Sequence, residues 1–162
     1  MAPPPRVIER AGDGRFRLRL TTAERHLLRE LPAELAALLD SGAGDPSLRR
    51  LFPPGYAEDA SAEAEYQELM HGELLGRHRQ ALTVLQKTAD SERLDPAEVD
   101  AWLVALNDLR LVLGTRLDVT EELYEAEIDP ADAELSVYLY LTWLQEQFVE
   151  AAGEPAPPST RE

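Results

Sequence analysis

A mainly α-helical bundle with a short N-terminal β-hairpin is the fold this sequence predicts, and three observations predict it. Residues 102–117, Trp-Leu-Val-Ala-Leu-Asn-Asp-Leu-Arg-Leu-Val-Leu-Gly-Thr-Arg-Leu, are apolar around most of a helical wheel. Such a helix belongs in the middle of a bundle and not on its surface. Leu27, Leu28, Leu31, Leu35, Leu38 and Leu39 repeat at helical spacing, the mark of one buried stripe. Arg15 to Leu20 alternates strictly, with Arg15, Arg17 and Arg19 on one face and Phe16, Leu18 and Leu20 on the other. That period of two belongs to a strand with one wet side and one buried side.

In chain order, residues 1–5 read as a disordered arm, residues 6–152 as a single helical domain with its hairpin at 6–20, and residues 153–162 as a disordered, proline-rich tail. Val7 to Arg10 and Arg15 to Leu20 are the two strands, and Ala11-Gly-Asp-Gly14 supplies the glycines of a tight turn. A lone hairpin is marginal, so it must pack on the helices or pair with another chain. Thr21 and Glu24 have capping-box spacing and open the first helix. Pro32 is expected to break or kink that helix, and Ser41-Gly-Ala-Gly44 to end it. Asp45-Pro46 opens a short helical turn through Leu48, Arg49, Arg50, Leu51 and Phe52, stopped by Pro53-Pro54-Gly55.

Tyr56 to Ala60 reads as a loop, and Ser61 as the N-cap of a helix running to about Asp90. Tyr66, Leu69, Met70, Leu74, Leu82 and Leu85 face inward in it, with Gly72 and Gly76 loosening its middle. Asp95-Pro96 caps the central helix, which ends near Asp118. Thr120-Glu-Glu starts a short helix. Asp129-Pro130 starts the last one, which buries Leu135, Tyr138, Leu139, Leu141, Leu144 and Phe148. Tyr138, Tyr140, Trp143 and Phe148 crowd this helix with more aromatic surface than a monomer buries, which predicts a homodimer through it or through the hairpin edge.

The 162 residues suffice for one domain with a real core, and the 44% apolar and 29% charged content is globular rather than disordered. No apolar run is long enough to cross a membrane, and Met1-Ala-Pro-Pro-Pro-Arg lacks the apolar region of a signal peptide. A cytoplasmic protein without a membrane partner is expected. There is no cysteine, which rules out disulfides and thiol redox sensing within this chain. Arginine outnumbers lysine fifteen to one, and Asn107 is the only asparagine. That bias fits a GC-rich genome, so arginine alone is no nucleic-acid signal. The net charge of −15 argues against direct DNA binding. The charge is uneven: residues 1–29 hold seven Arg against three acids, net +4, and residues 30–162 hold nine bases against twenty-eight acids, net −19.

A search for catalytic patterns returns little. Neither type of Gly-rich phosphate loop is present, and zinc spacing with cysteine is impossible. Glu68-Leu-Met-His71 has the i, i+3 spacing of di-iron bundles, but no second Glu-x-x-His exists and a solvated face is the simpler reading. His78 lies near the same face. No catalytic residue, metal or cofactor is expected, and the protein reads as non-enzymatic. The candidate partner-binding residues are Arg15, Arg17 and Arg19 on the strand and Arg49 and Arg50 beside Leu51-Phe-Pro-Pro54. Against that stands the plainer reading, in which these arginines pair with the chain's own acids or blunt a sheet edge. On the central helix, Asn107, Asp108, Arg110 and Thr115 form a structural polar cluster, with Arg110 tying neighbouring helices through a carboxylate.

Leu51-Phe-Pro-Pro-Gly-Tyr56, the block 102–117 and Val119-Thr-Glu-Glu122 resemble an actinobacterial family of largely uncharacterised proteins. Its named branch is the AosR-like regulators of amino-acid metabolism and oxidative stress. The resemblance spans most of the chain and implies a small helical regulator acting in transcription through a sigma factor or RNA polymerase. The neighbourhood of family genes implies a second route, as an adaptor or accessory protein of Clp-type proteolysis. No catalytic residues carry over. One departure bears on mechanism, because a thiol-based redox switch needs cysteines and this chain has none. Either this member senses nothing by thiol chemistry, or redox sensing is not the family's common function. A small-ligand site in a protein of unknown function is the remaining alternative.

Overall fold

A computed structural model describes residues 6–41, 48, 51, 60–117 and 133–154, without the side chains of 41, 60–69, 71, 116 and 117. Strands β1 (Ile8–Arg10) and β2 (Phe16–Leu18) form the expected antiparallel hairpin, with Ile8 opposite Leu18 and Arg10 opposite Phe16. Its turn is closed by the Gly14 amide on the Ala11 carbonyl, and Gly14 lies at φ 83°. Only glycine adopts that left-handed geometry without strain.

The sheet has a third strand that sequence reasoning missed. Strand β3 (Arg93–Leu94) pairs antiparallel with β2, Phe16 against Leu94 and Arg17 against Arg93. The Leu18 amide extends the ladder to the Glu92 carbonyl at 2.8 Å. The connection between two helices therefore completes the sheet, with β2 in the centre. Ile8, Phe16, Leu18 and Leu94 point inward and are buried, as the alternation of β2 requires.

Among the described residues four helices build the rest: α1 (Thr22–Ser41), α2 (Ala60–Thr88), α3 (Pro96–Leu117) and α4 (Ala133–Gly153). Helix α3 packs against both α2 and α4, the central place its apolar wheel demands, while α1 lies on α2 and β1 on α4. Val99, Trp102, Ala105, Leu106, Leu109 and Val112 of α3 are buried. Trp102 is the anchor. Its ring stacks on Phe148 of α4 with centroids 5.0 Å apart, and its Nε1 donates to the Thr88 hydroxyl at the end of α2 at 2.7 Å. One side chain thus joins three helices.

Helix starts are fixed by reciprocal caps. The Thr21 amide donates to Glu24 Oε1 at 3.0 Å and the Glu24 amide to Thr21 Oγ1 at 3.1 Å. Asp95 and Glu98 do the same at α3, at 2.9 and 2.7 Å. Each satisfies backbone donors that the first turn leaves open. The expected break at Pro32 does not occur: α1 continues through it, and its ring is fully buried, so apolar contact offsets the missing amide. Helix α2 likewise runs unbroken through Gly72 and Gly76, where an added Cβ would meet nothing. The expected turn at 45–55 lies outside the described residues apart from Leu48 and Leu51, both buried and joined by the Leu51 amide on the Leu48 carbonyl. The short helix expected from Thr120 lies outside them entirely.

Glu24 has a second duty that joins α1 to α4. Its Oε2 accepts a 2.6 Å bond from the Tyr140 hydroxyl. Burial pushes its carboxyl up, but bonds from Tyr140 and Thr21 outweigh that and hold it below its ordinary value. With a depressed folded value, this stabilisation is present above the ordinary carboxyl range and lost as pH falls through the folded value. Glu24→Ala is expected to cost about 2 kcal/mol in urea unfolding and Tyr140→Phe about 1 kcal/mol. Equal stability of Glu24→Ala and wild type would show that neither bond contributes.

Candidate functional site

The arginines around the sheet and α1 divide into two sets. Most tie the fold together. Arg6 pairs with Glu154, and Arg10 lies over the Phe16 ring, 5.0 Å from its centroid, while donating to the Ala152 carbonyl at 3.2 Å. Both secure β1 to the end of α4, where free carbonyls attract cations. Arg25 donates to the carbonyls of Leu20, Ala89 and Ser91, at 3.3, 2.8 and 2.8 Å, and so joins the start of α1 to the turn after α2. Arg29 pairs with Asp90 in the turn after α2, and Arg79 of α2 with Asp40 of α1.

The outward face of the sheet carries the second set. Arg19 is held by Glu9 at 2.7 Å and by the Arg6 carbonyl at 3.2 Å. Arg93 is held by Asp13 at 2.8 Å. The Arg15 amide, with the Arg93 and Arg15 charges behind it, keeps the Asp13 carboxyl below its ordinary value against a small opposing effect of burial. Arg15 and Arg17 are exposed, and their guanidinium groups have no hydrogen bond or ion pair among the described residues. Of the three strand arginines, then, Arg19 is a structural clamp and Arg15 and Arg17 are free to meet another molecule. Arg49 and Arg50 lie outside the described residues.

Sequence reasoning missed Arg25 and Arg93, which stand beside Arg17 and Arg19. Together with Leu18 and Glu92 these four arginines line a cleft of about 460 Å³. No local pattern signals it, because its walls come from β2, the first turn of α1 and the connection after α2.

The polar residues of the central helix do not act as one group. Asp108, only 3% exposed, turns to α2, where its Oδ2 lies 2.6 Å from His78 Nδ1. His78 Nε2 lies 3.3 Å from the Leu51 carbonyl. Both ring nitrogens face acceptors, and only the doubly protonated imidazolium donates at both. The bond to Asp108 raises the affinity of His78 for its proton against the effect of burial, while burial raises the Asp108 carboxyl against the effect of that bond. Asn107 and Arg110 look toward α4 instead: Arg110 Nη2 donates to Asn107 Oδ1 at 3.3 Å, and Gln145 Nε2 approaches the same oxygen at 3.5 Å. Arg110 meets no carboxylate among the described residues, and its Nε is buried without a partner there. Thr115 bonds back to the Leu111 carbonyl at 2.9 Å, within its own helix. Trp143 on α4 is 43% exposed and tilted against Tyr140, and β1 lies against α4. No described helix is long and apolar enough to cross a membrane.

These features define a small, mainly α protein with a braced three-stranded sheet that turns arginines outward. The chain belongs to the family described as "Domain of unknown function (DUF2017)", whose model matches residues 5–152. It is 31% identical to the "Oxidative stress regulator AosR" of Mycobacterium tuberculosis (strain ATCC 25618 / H37Rv) over 183 aligned positions, covering 88% of this chain and 84% of that protein. The protein of the same name from Mycobacterium bovis gives the same figures. The "Putative oxidative stress regulator AosR" of Mycobacterium leprae (strain TN) is 32% identical over 126 positions, 66% of this chain and 58% of that protein. No solved structure matches. The resemblance carried by residues 51–56, 102–117 and 119–122 therefore leads to the right family.

Proposed function

We propose that this protein is a non-enzymatic regulator that works by protein–protein contact in transcription, on a sigma factor or RNA polymerase, through the outward arginine face of its sheet. The observation that carries the reading is the pair Arg15 and Arg17, exposed and without an ion pair among the described residues, in a chain of net charge −15. Positive groups left open in so acidic a protein favour an acidic partner surface and speed its encounter. The sheet beneath them is fixed by Arg6, Arg10 and Arg25, so the two guanidinium groups are presented on a rigid support. The regulator names of the relatives support a regulatory role. With no cysteine, control through a thiol switch within the chain is excluded, and the regulatory input must arrive by another route.

The test is affinity capture from the native host with wild type and with an Arg15→Glu, Arg17→Glu double variant. Arg19 is left intact because it clamps Glu9 and the Arg6 carbonyl. Enrichment of a sigma factor or polymerase by wild type, reduced about tenfold or more in the variant, is the expected result. Enrichment of Clp components would replace this reading with the proteolytic adaptor. Equal recovery of the same partners by both forms would remove the arginine face as the contact.

A further inference from the structure

We infer that the cleft between β2, β3 and the first turn of α1 binds a compact, multiply charged oxyanion. Its walls are Arg17, Leu18, Arg19, Arg25, Glu92 and Arg93, around a volume of about 460 Å³. That space lies in the range of small-ligand sites. All four cations are arginines; Arg17 has its whole planar fork open among the described residues, while Arg19, Arg25 and Arg93 already give part of theirs to protein acceptors.

The placement of these groups carries the inference. Arg17 and Arg93 sit directly opposite each other on neighbouring strands. Like charges in that position repel and weaken a sheet, so the pair calls for an anion between or above them. Asp13 serves Arg93 through one nitrogen, Nη1, and Arg17 has no partner among the described residues. Arg25 is aimed in advance: its Nε and Nη1 are fixed on three carbonyls, and Nη2 makes no bond among the described residues. Arg19 is fixed likewise by Glu9 and the Arg6 carbonyl. Donors ordered before binding lose little entropy when a ligand arrives. Leu18 is the only apolar residue in the lining among the described residues. An acyl chain would find no apolar wall here, and the guanidinium groups select for negative charge. Glu92 also faces this space, and it opposes the ligand.

The ligand's source divides into two chemistries, phosphate and carboxylate, and the probes separate them. Isothermal titration of the full chain at low salt would use inorganic pyrophosphate in one series and citrate in the other. Saturable binding of one equivalent is expected. Arg17→Ala and Arg93→Ala should each weaken it about tenfold or more, the loss typical of a charge-assisted bond. Glu92→Gln should tighten it a few-fold, roughly the effect of removing a neighbouring like charge. Arg79→Ala, which breaks a pair with Asp40 elsewhere on the α1–α2 face, should leave it unchanged. Binding of pyrophosphate alone assigns the site to phosphate ligands, and binding of both assigns it to polyanions in general. No heat with either probe overturns the inference, as does binding that Arg17→Ala and Arg93→Ala leave intact or that Arg79→Ala weakens equally. Arg17 is shared with the proposed protein contact, but the two ideas fail separately, because titration needs no partner and capture needs no small ligand.

Discussion

Replacing Trp102 with alanine is expected to lower the unfolding free energy by about 4 kcal/mol, close to the whole stability of a marginal domain. The indole is fully buried, and its removal leaves a hole where α2, α3 and α4 meet. Three losses combine: the transfer free energy of a large aromatic side chain, the stacking with Phe148, and the bond to Thr88. The cavity closes poorly because its other wall, Phe148, is itself fully buried. Trp102→Phe separates these contributions. It keeps most of the stack and loses the Nε1 donor, while Thr88 still donates to the Val84 carbonyl at 2.6 Å and is not orphaned. The expected cost is then about 1.5 kcal/mol. Urea unfolding with an unchanged slope checks both values. A loss below about 2 kcal/mol for Trp102→Ala would mean that α3 is not the packing centre of the bundle.

What the sequence discloses depends on the distance over which each signal acts. The caps at Thr21–Glu24 and Asp95–Glu98 are contacts between residues three apart, so their spacing announces them. The alternation of Arg15 to Leu20 announces a one-sided strand, and the apolar wheel of 102–117 announces the central helix. Strand β3 is two residues long and carries no period, so Ser91-Glu-Arg-Leu-Asp-Pro96 reads only as a link between helices. Its pairing is decided by β2, more than seventy residues earlier. The candidate site follows the same rule. Arg15, Arg17 and Arg19 are visible as a charged face, but nothing local tells that Arg19 is clamped and Arg17 is not. That difference comes from Glu9 across the strand and from the Arg6 backbone. Arg25 and Arg93 join the face only through the fold. His78 has helical spacing to His71, which reads as part of a solvated face; in the fold its Nδ1 meets Asp108, thirty residues on.

That pair supports a second prediction, because its energy changes with pH in a stated direction. Removing one member of a buried ion pair leaves the other charge uncompensated, and Asp108→Ala is expected to cost about 3 kcal/mol at pH about 6. The folded chain holds the His78 proton more tightly than the unfolded chain, for which the ordinary value is 6.5. The stabilisation from this proton is full below that value and is lost as pH rises through the raised folded value. Asp108 acts in the same sense. Burial raises its carboxyl above the ordinary 3.8, so its own contribution also declines as pH rises. The pair titrates as a unit, and over its range the folded state binds more protons than the unfolded one. Above the His78 transition the ring keeps one proton, bonded to Asp108, and Nε2 turns a lone pair toward the Leu51 carbonyl. Asp108→Asn keeps the shape and removes the main cause of the raised His78 value, leaving burial and the Arg77 charge to act downward against the bond to the Leu51 carbonyl. Its deficit against wild type should therefore be largest at about pH 6 and shrink steadily toward about pH 9, across the histidine range. Subtracting the two urea series removes the general effect of so acidic a chain, which both proteins share. A deficit that stays constant over that range would mean that His78 is neutral in the folded protein and that the bond to Asp108 carries no charge.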